Sequence, residues 1–600
     1  MAVATPLTNI KSLSLRVTVK VDGTAIKDDY GLVSVNVLHA INKISTAEVV
    51  LVGPMNTKSG EIPITDGADF DPGKELEISA GFGDSGEQTI FKGLIVKHAA
   101  ELDNKSPFKI KVFCKHKAVT MTFNEKEGVF TESKDSDIIT KITGNYGLSA
   151  DVTATTVTYE ACYQRRSTDW DFVLSRADFN GFIICMDGDS FTVGKPKLSE
   201  TAVQRVAVGE SMISFEAELN AENQPTAINA SGWDTKTQAL VKSAAAEPSV
   251  NSQGNVTAKT LSGKLSQAAL NLLTPTPMAT DELKVWADAA LLRMRLNACR
   301  GKVKFVGSAT VKTGNIIELA GVGKKFNGSA FVSSVNHVIE AGSWNTIVKF
   351  GLENSQIHKM PDFSYASASG QLPAVHGLQV GTVKKLSEDP KSLARIQVTL
   401  PSYSETSPDI WARYANFYAT GDAGSGFWPE VGDEVIVGFL DNDPRYPVVL
   451  GSVYSDKNKS PNPPADENNY IKSLTTKTKM KLSFDDEKKV IVIETPGGNK
   501  ITISDEDKSI EIKDQNSNTI KMSSSGIDLD SGKDINIKAT GSININATQK
   551  LTLDAKQDVA VSGLNVNHTA KVGFTAKGNA TAEISASGST TVKGGMVMIN

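Results

Sequence analysis

Residues 534–563 read DINIKATG SININATQ KLTLDAKQ DVAVSG, and this stretch decides the fold. Apolar pairs fall at Ile535/Ile537, Ile543/Ile545, Leu551/Leu553 and Val559/Val561, in the same place in each octad. Residues two apart share one face of an extended strand, so each octad reads as a strand with one apolar stripe. Looser copies run backwards through Ile527/Leu529, Ile520/Met522, Ile510/Ile512 and Ile501/Ile503, and forwards through Val572/Phe574 and Met596/Met598. The phase breaks near Gly563 and Ile584.

Between the pairs stand Gly, Asn, Asp, Lys, Ser and Thr, which suit turns and solvated faces. One such strand buries too little apolar area to offset its own ordering entropy, so copies must stack around a shared axis. Three octads could form one coil of a single-chain solenoid, or three identical chains could intertwine in a prism. A solenoid needs a regular register, which the phase breaks disturb. Three chains tolerate them, so an intertwined trimeric β-helix or β-prism is expected, with the eight residues of the four regular pairs as its core.

The 600 residues suggest several domains. A net charge of -5 offers no basic field for nucleic acid or an anionic membrane. Cys114, Cys162, Cys185 and Cys299 lack CxxC spacing, so neither a disulfide framework nor a zinc ribbon is indicated. The opening MAVATPLTNIKS has no secretory pattern, and no run of eighteen apolar residues occurs. Synthesis in the cytoplasm is expected, with export by a dedicated machine.

From residue 13 to 123 the pattern is β: LSLRVTVKVDG, TAEVVLVG, KELEISAGFG, IFKGLIVKH and FKIKVFCKH. Helices are expected at 136–146, 168–180 and 280–298, the last two with a Thr cap and an acidic first turn. Residues 235–275, rich in Ser, Ala, Thr and Lys, read as an exposed insertion or linker.

A faint duplication follows. Gly73-Lys-Glu-Leu-Glu-Ile precedes Phe91, His98 and the strand KIKVF; Gly314-Asn-Ile-Ile-Glu-Leu precedes Phe331, His337 and TIVKF. The intervals are 18 and 17 residues to Phe, 25 and 23 to His. One chain would then carry two similar barrels, and three chains would present six. The histidines need be no more than strand residues.

Residues 377–454 hold five short strands with Gly and Pro corners, which suits an OB-type barrel. Lys and Arg number 6 there and Asp and Glu 10, which argues against an oligonucleotide ligand and for a structural adaptor. The expected domains are a hub at 1–370, an OB collar at 371–455, a Pro-rich neck at 456–480 and a repetitive shaft at 481–600.

At GFWPEVGDEVIVGFLDNDPRYPVVLG (426–451) the chain resembles the VgrG-type spike proteins of contractile injection machines, relatives of contractile phage tail hubs and spikes. TDWDFVLSRADFNGF (168–182) is similar to that family's hub helix, and the octads to its shaft. The resemblance implies a mainly β fold with a few helices: two hub barrels, an OB-fold barrel and a trimeric spike. It implies a homotrimer seated on inner-tube and baseplate proteins, a PAAR-type protein on its tip and cargo effectors. The tip protein would sit on Met596, Val597, Met598, Ile599 and Asn600, where the chain ends without an appended domain. A target membrane would be met by puncture only. The spike would be made in the cytoplasm, built into the particle's baseplate, and end outside the cell or in its target. Some relatives carry a His-x-His iron apex; this chain has only His568 in the shaft, so no metal or other cofactor is carried over.

No enzyme is expected. The competing reading is a β-helical glycan hydrolase using Asp485/Asp486 or Asp505/Glu506/Asp507, since glycoside cleavage needs two carboxylates about 5 to 10 Å apart. A passive adhesin is another. HExxH, GxSxG and Walker motifs are missing from the sequence.

Overall fold

The computed structural model describes residues 14–55, 58–83, 86–103, 106–234, 237–265, 267–354, 367, 372–401 and 409–599. Two compact units divide the chain, Met1–Val453 and Tyr454–Asn600.

The first unit is organised by a 13-stranded sheet that carries the expected duplication as two lobes. Lobe one uses β1 (Leu15–Val21), β2 (Gly31–Ala40), β3 (Lys43–Val52), β4 (Glu75–Phe82), β5 (Gln88–Asp103) and β6 (Ser106–Lys115). Lobe two uses β7 (Gln204–Ala207), β8 (Met212–Leu219), β9 (Cys299–Val306), β10 (Ile316–Ala320), β11 (Gly328–Glu340) and β12 (Ser343–Phe350). Their spatial orders, β2-β3-β6-β5-β4-β1 and β8-β9-β12-β11-β10-β7, are the same path taken twice. The copies differ at the end of the path, where β1 joins β4 antiparallel but β7 joins β10 parallel. Antiparallel pairing of β11 with β2 fuses the lobes, while each keeps its own core, one around Val35, Phe91 and Ile110, the other around Phe305, Val332 and Phe350.

The glycines of the duplication are equivalent. Gly73 and Gly314 both adopt positive φ, 100° and 85°, a conformation that favours glycine. Gly73 N–H donates to Ile95 O and Ile95 N–H to Lys74 O; Gly314 N–H donates to Val332 O and Val332 N–H to Asn315 O. Ile95 therefore corresponds to Val332. The Phe and His spacings do not correspond, because Phe91 faces Ile78 and Phe331 faces Ile316, at different distances from their glycines.

Helices form at Asp135–Gly144, Asp169–Phe179 and Thr280–Asn297. Thr168 caps the second as its sequence suggests, its hydroxyl accepting from Asp171 N–H at 3.0 Å. Thr280 does not cap the third: Ala279 holds that position, and Thr280 begins the helix. The described part of 235–275 is not the exposed linker expected. Strands Ala239–Ala244 and Leu270–Pro277 flank Ile228–Asp234, and this small sheet packs on the Thr280–Asn297 helix through Ile228, Ala230, Leu283 and Leu291. The helix supplies most of that shared core, so the strands need few large apolar residues and read as polar in sequence.

Strands Gln379–Lys385, Arg395–Thr399, Ile410–Tyr414, Pro447–Ser452 and Glu434–Phe439 close a five-stranded barrel around Val383, Ile396, Val398 and Val437, as the OB pattern leads one to expect. Arg166, in the same unit, pairs with Asp441 of this barrel at 3.3 Å.

In the second unit an antiparallel meander of seven strands runs from Ile471–Thr475 to Gly526–Asp530. Its first strand lies within the segment expected as a neck. Beyond Asp530 the described chain forms no further strand, although the most regular octads lie there.

Candidate functional site

Cross-strand pairing in the meander lines up apolar residues into two rows on one face. One row runs Leu474, Leu482, Ile493, Ile501, Ile512, Ile520 and Leu529; beside it stand Phe484, Ile491, Ile503, Ile510, Met522 and Ile527. Opposite neighbours of this kind are the unit of sheet stabilisation. Yet within one chain nothing covers this face fully: Ile501 is 36% exposed and Ile527 71%. The sequence reading began these rows at Ile501 and missed Leu474 through Ile493. Leu482/Phe484 and Ile491/Ile493 are two-apart pairs nine residues apart, as are Ile501/Ile503 and Ile510/Ile512, so the same signal continues further back along the chain.

After Asp530 the backbone bends at residues 532–533, 540–541, 548–549, 556–557, 564, 571–572, 579–580, 587–588 and 595–596. One interval is a residue short, near Gly563, where the sequence phase breaks. The second expected break, near Ile584, is not a break in the backbone. In this register each apolar pair sits midway between bends, and Val572 and Met596 fall on the bends themselves, so their expected pairings with Phe574 and Met598 are replaced by the register set at Ile535/Ile537. Ile535, Ile537, Ile543, Ile545, Leu551, Leu553, Val559 and Val561 are all at least half exposed in the single chain. Met596, Val597, Met598 and Ile599 are exposed as well. Asn600 lies outside the described residues.

The helix with the Asp-Trp-Asp-Phe pattern is anchored by paired charges. Asp169 accepts from Lys126 Nζ and Tyr146 Oη at 2.7 Å and from Gln164 Nε2 at 2.8 Å. Trp170 and Phe172 enter the core. Arg176 donates from Nε and Nη2 to buried Asp135 at 2.6 and 3.0 Å, and from Nη2 to Tyr159 Oη at 2.8 Å. Burial pushes the Tyr159 phenol well up, which keeps it neutral beside that pair. Two buried histidines of the first unit are held neutral by desolvation, His116 lowered to about 4 and His337 to about 3.

The carboxylates proposed for glycan cleavage lie on separate exposed turns and have structural partners. Asp486 pairs with Lys472, Asp485 accepts from Lys488 N–H at 3.0 Å, Glu506 lies 4.0 Å from Lys488, and Asp507 accepts from Ser504 Oγ at 3.0 Å. Asp505 N–H bonds Lys489 O as part of the turn. Among the described residues, no group of three or more His, Cys, Asp or Glu in one chain could hold a metal ion.

Three family models match in chain order. The model described as Alg8 N-terminal domain covers residues 11–341, more than half of the chain. That of the type VI secretion system/phage-baseplate injector OB domain covers 379–454, and that of the phage baseplate V C-terminal trimerisation domain covers 490–557. The chain is 36% identical over 74 residues to the type VI secretion system spike protein VgrG3 of Vibrio cholerae, a match spanning 12% of this chain and 7% of that protein. The 43 kDa tail protein of prophage MuSo2 from Shewanella oneidensis superposes with a TM-score of 0.43 at 10% identity, over 57% of this chain and 99% of that one. In the Francisella PdpA–VgrG complex the figures are 0.39 and 8%, over 87% and 88%. From residues 11 to 341 this chain belongs to the Alg8 N-terminal-domain family, and with the injector OB and baseplate trimerisation domains that follow it is a VgrG-type spike protein.

Proposed function

We propose that three copies of this chain form the central hub and spike of a contractile injection machine. The observation that carries this reading is the match to a trimerisation domain over a stretch that, in one chain, leaves its apolar ladder exposed. Three chains would cover one another's rows. They would also supply the octads with the backbone hydrogen-bond partners that one chain withholds.

Residues 1–370 form the hub, the two duplicated lobes of three chains making a ring of six beneath the inner tube. Residues 371–455 form the collar, 456–480 the neck and 481–600 the shaft, with Ile535/Ile537, Ile543/Ile545, Leu551/Leu553 and Val559/Val561 in its core. Met596 to Asn600 receive a separate PAAR-type tip protein, which would cover the apolar patch that Met596, Val597, Met598 and Ile599 of three chains expose. Sheath contraction, driven by other proteins, pushes the spike through the target envelope and delivers effectors; the chain itself is not an enzyme. It is made in the cytoplasm, assembled in a baseplate, and ends outside the cell or in its target. A closed prism suits this work because it has no free sheet edge and unfolds slowly.

Light scattering of the purified full chain tests the reading. A mass about three times 64.0 kDa is expected, and a mass of one chain would overturn the trimer. Incubation with peptidoglycan and surface polysaccharides is expected to give no soluble product; a released oligosaccharide would replace puncture with hydrolysis.

A further inference from the structure

A cavity of about 190 Å³ opens where the end of β2, the start of β3 and the end of β12 meet two helices of the first unit. Arg293, from the Thr280–Asn297 helix, stands in its wall and is only 9% exposed. Both hydrogen bonds of its guanidinium leave from Nη1, to Asp178 O at 2.7 Å and to Asp178 Oδ1 at 2.6 Å. The buried Nε has no partner among the described residues. Lys43, Lys349 and Glu353 also line the cavity, and among the described residues none of the three makes an ion pair. Three cations therefore face two carboxylates, one of them already engaged by Arg293. Beside the charges stand Leu38, Ile41 and Leu352. A wider groove of about 590 Å³ shares Ser333, Lys349 and Glu353 with the cavity and continues over Arg300, Gly301 and Lys302.

We propose that this cavity binds the C-terminal carboxylate of another polypeptide, one that ends in an apolar residue. A guanidinium is a planar fork that takes a carboxylate through two parallel N–H bonds, and with Nη1 occupied the edge that includes Nε is the one left open. A buried donor without an acceptor is unfavourable; a carboxylate there removes that cost and balances the surplus positive charge. The apolar wall suits the side chain of a last residue, and the adjoining groove gives the residues before it a way out. A small free carboxylate would leave that groove unused. Capture of a chain end by fixed donors is a recurring mode of peptide recognition. The site lies within one chain, so the inference stands apart from the trimer proposed above. It would tether a second protein to the first unit by its tail.

The test uses the full chain and a pool of pentapeptides whose last two positions are Ala, Val, Leu, Ile or Phe. They are made as free acids and as C-terminal amides, and bound peptide is read by equilibrium dialysis. Free acids should be retained and amides at least about tenfold less, since a charged hydrogen-bond acceptor is lost. Lys43→Ala with Lys349→Ala removes two exposed cations; it should keep the native melting temperature and weaken the acids by about tenfold. Arg293→Lys keeps a cation for Asp178 but removes the fork, so acids and amides should then bind alike. Should that variant not fold, the lysine pair and the acid-to-amide ratio of the native chain decide. No retained peptide, equal retention of acids and amides by the native chain, or acids indifferent to the loss of both lysines overturns the site. Hexanoate binding as tightly as the peptides and displacing them would overturn the polypeptide ligand in favour of a small carboxylate. None of these outcomes touches the trimer, which the scattering mass decides.

Discussion

The meander of Ile471–Asp530 and the octads that follow carry the same apolar pairs, yet only the meander hydrogen-bonds to itself. The difference lies between the pairs. Each meander turn contains a residue with positive φ just before or at the start of the next strand: Lys479, Lys489, Gly498, Lys508, Ser517 and Gly526. These residues let the chain fold back on itself. Among the described residues, none after Gly526 has positive φ. The octad bends turn the chain without reversing it, so its edges stay open to other chains. Apolar periodicity alone does not choose between pairing within a chain and pairing between chains; the connections do.

The sharpest way to break this comparison is to charge both halves. Ile543→Asp with Ile545→Asp is expected to abolish the trimer, since six carboxylates would be buried at the cost of several kcal/mol each; the scattering mass should fall to one chain with the hub still soluble. Ile501→Asp with Ile503→Asp leaves the meander's own ladder in place. It should weaken the trimer too, because the other chains cover the same rows, but the separated chain should keep the strand content of the meander in circular dichroism; loss of the meander strands as well would erase the distinction.

The hub gives an internal reference. Arg176→Met takes the cation from the buried Asp135 carboxylate, leaving it Asn180 and Tyr159 as donors, and should cost about 3 kcal/mol in the unfolding of the first unit without changing the mass. Denaturant titration of the hub resolves it.

Acid provides a milder lever. His116 and His337 are neutral in the fold but protonate near 6.5 when unfolded, so the unfolded state binds more protons as pH falls. Hub stability should drop from about pH 6.5 down to about 4 for His116 and about 3 for His337, by up to about 1.4 kcal/mol per unit for each. A hub melting temperature flat over that range would contradict their neutral burial.

The smallest effect probes the turns directly. Gly498 has φ of 96° and open space around its α-carbon, so Gly498→Ala meets only backbone strain, about 1 kcal/mol. Gly541 lies on an octad bend without positive φ, and Gly541→Ala should stay within about 0.5 kcal/mol. Equal shifts in thermal unfolding would remove the turn explanation.

Much of the architecture was legible in residue order. The OB barrel followed from five short strands, the Asp169–Phe179 helix from its Thr168 cap, and the lobes from Gly73 and Gly314. The small sheet of 228–277 was not legible, because the Thr280–Asn297 helix supplies its core from outside the segment. Matching Phe91 to Phe331 failed for a related reason: strand register is set across the ladder, not along the chain.

The amino-acid sequence by itself determined which side chains share a face, because that depends only on the two-residue repeat of extended backbone. Tertiary structure decided which strands answer one another. It folded residues 471–530 into an unbroken run of antiparallel pairs, joined two lobes through β2 and β11, and left the octads without partners in their own chain. Backbone groups must be paired somewhere, and where depends on how each connection steers the chain in space.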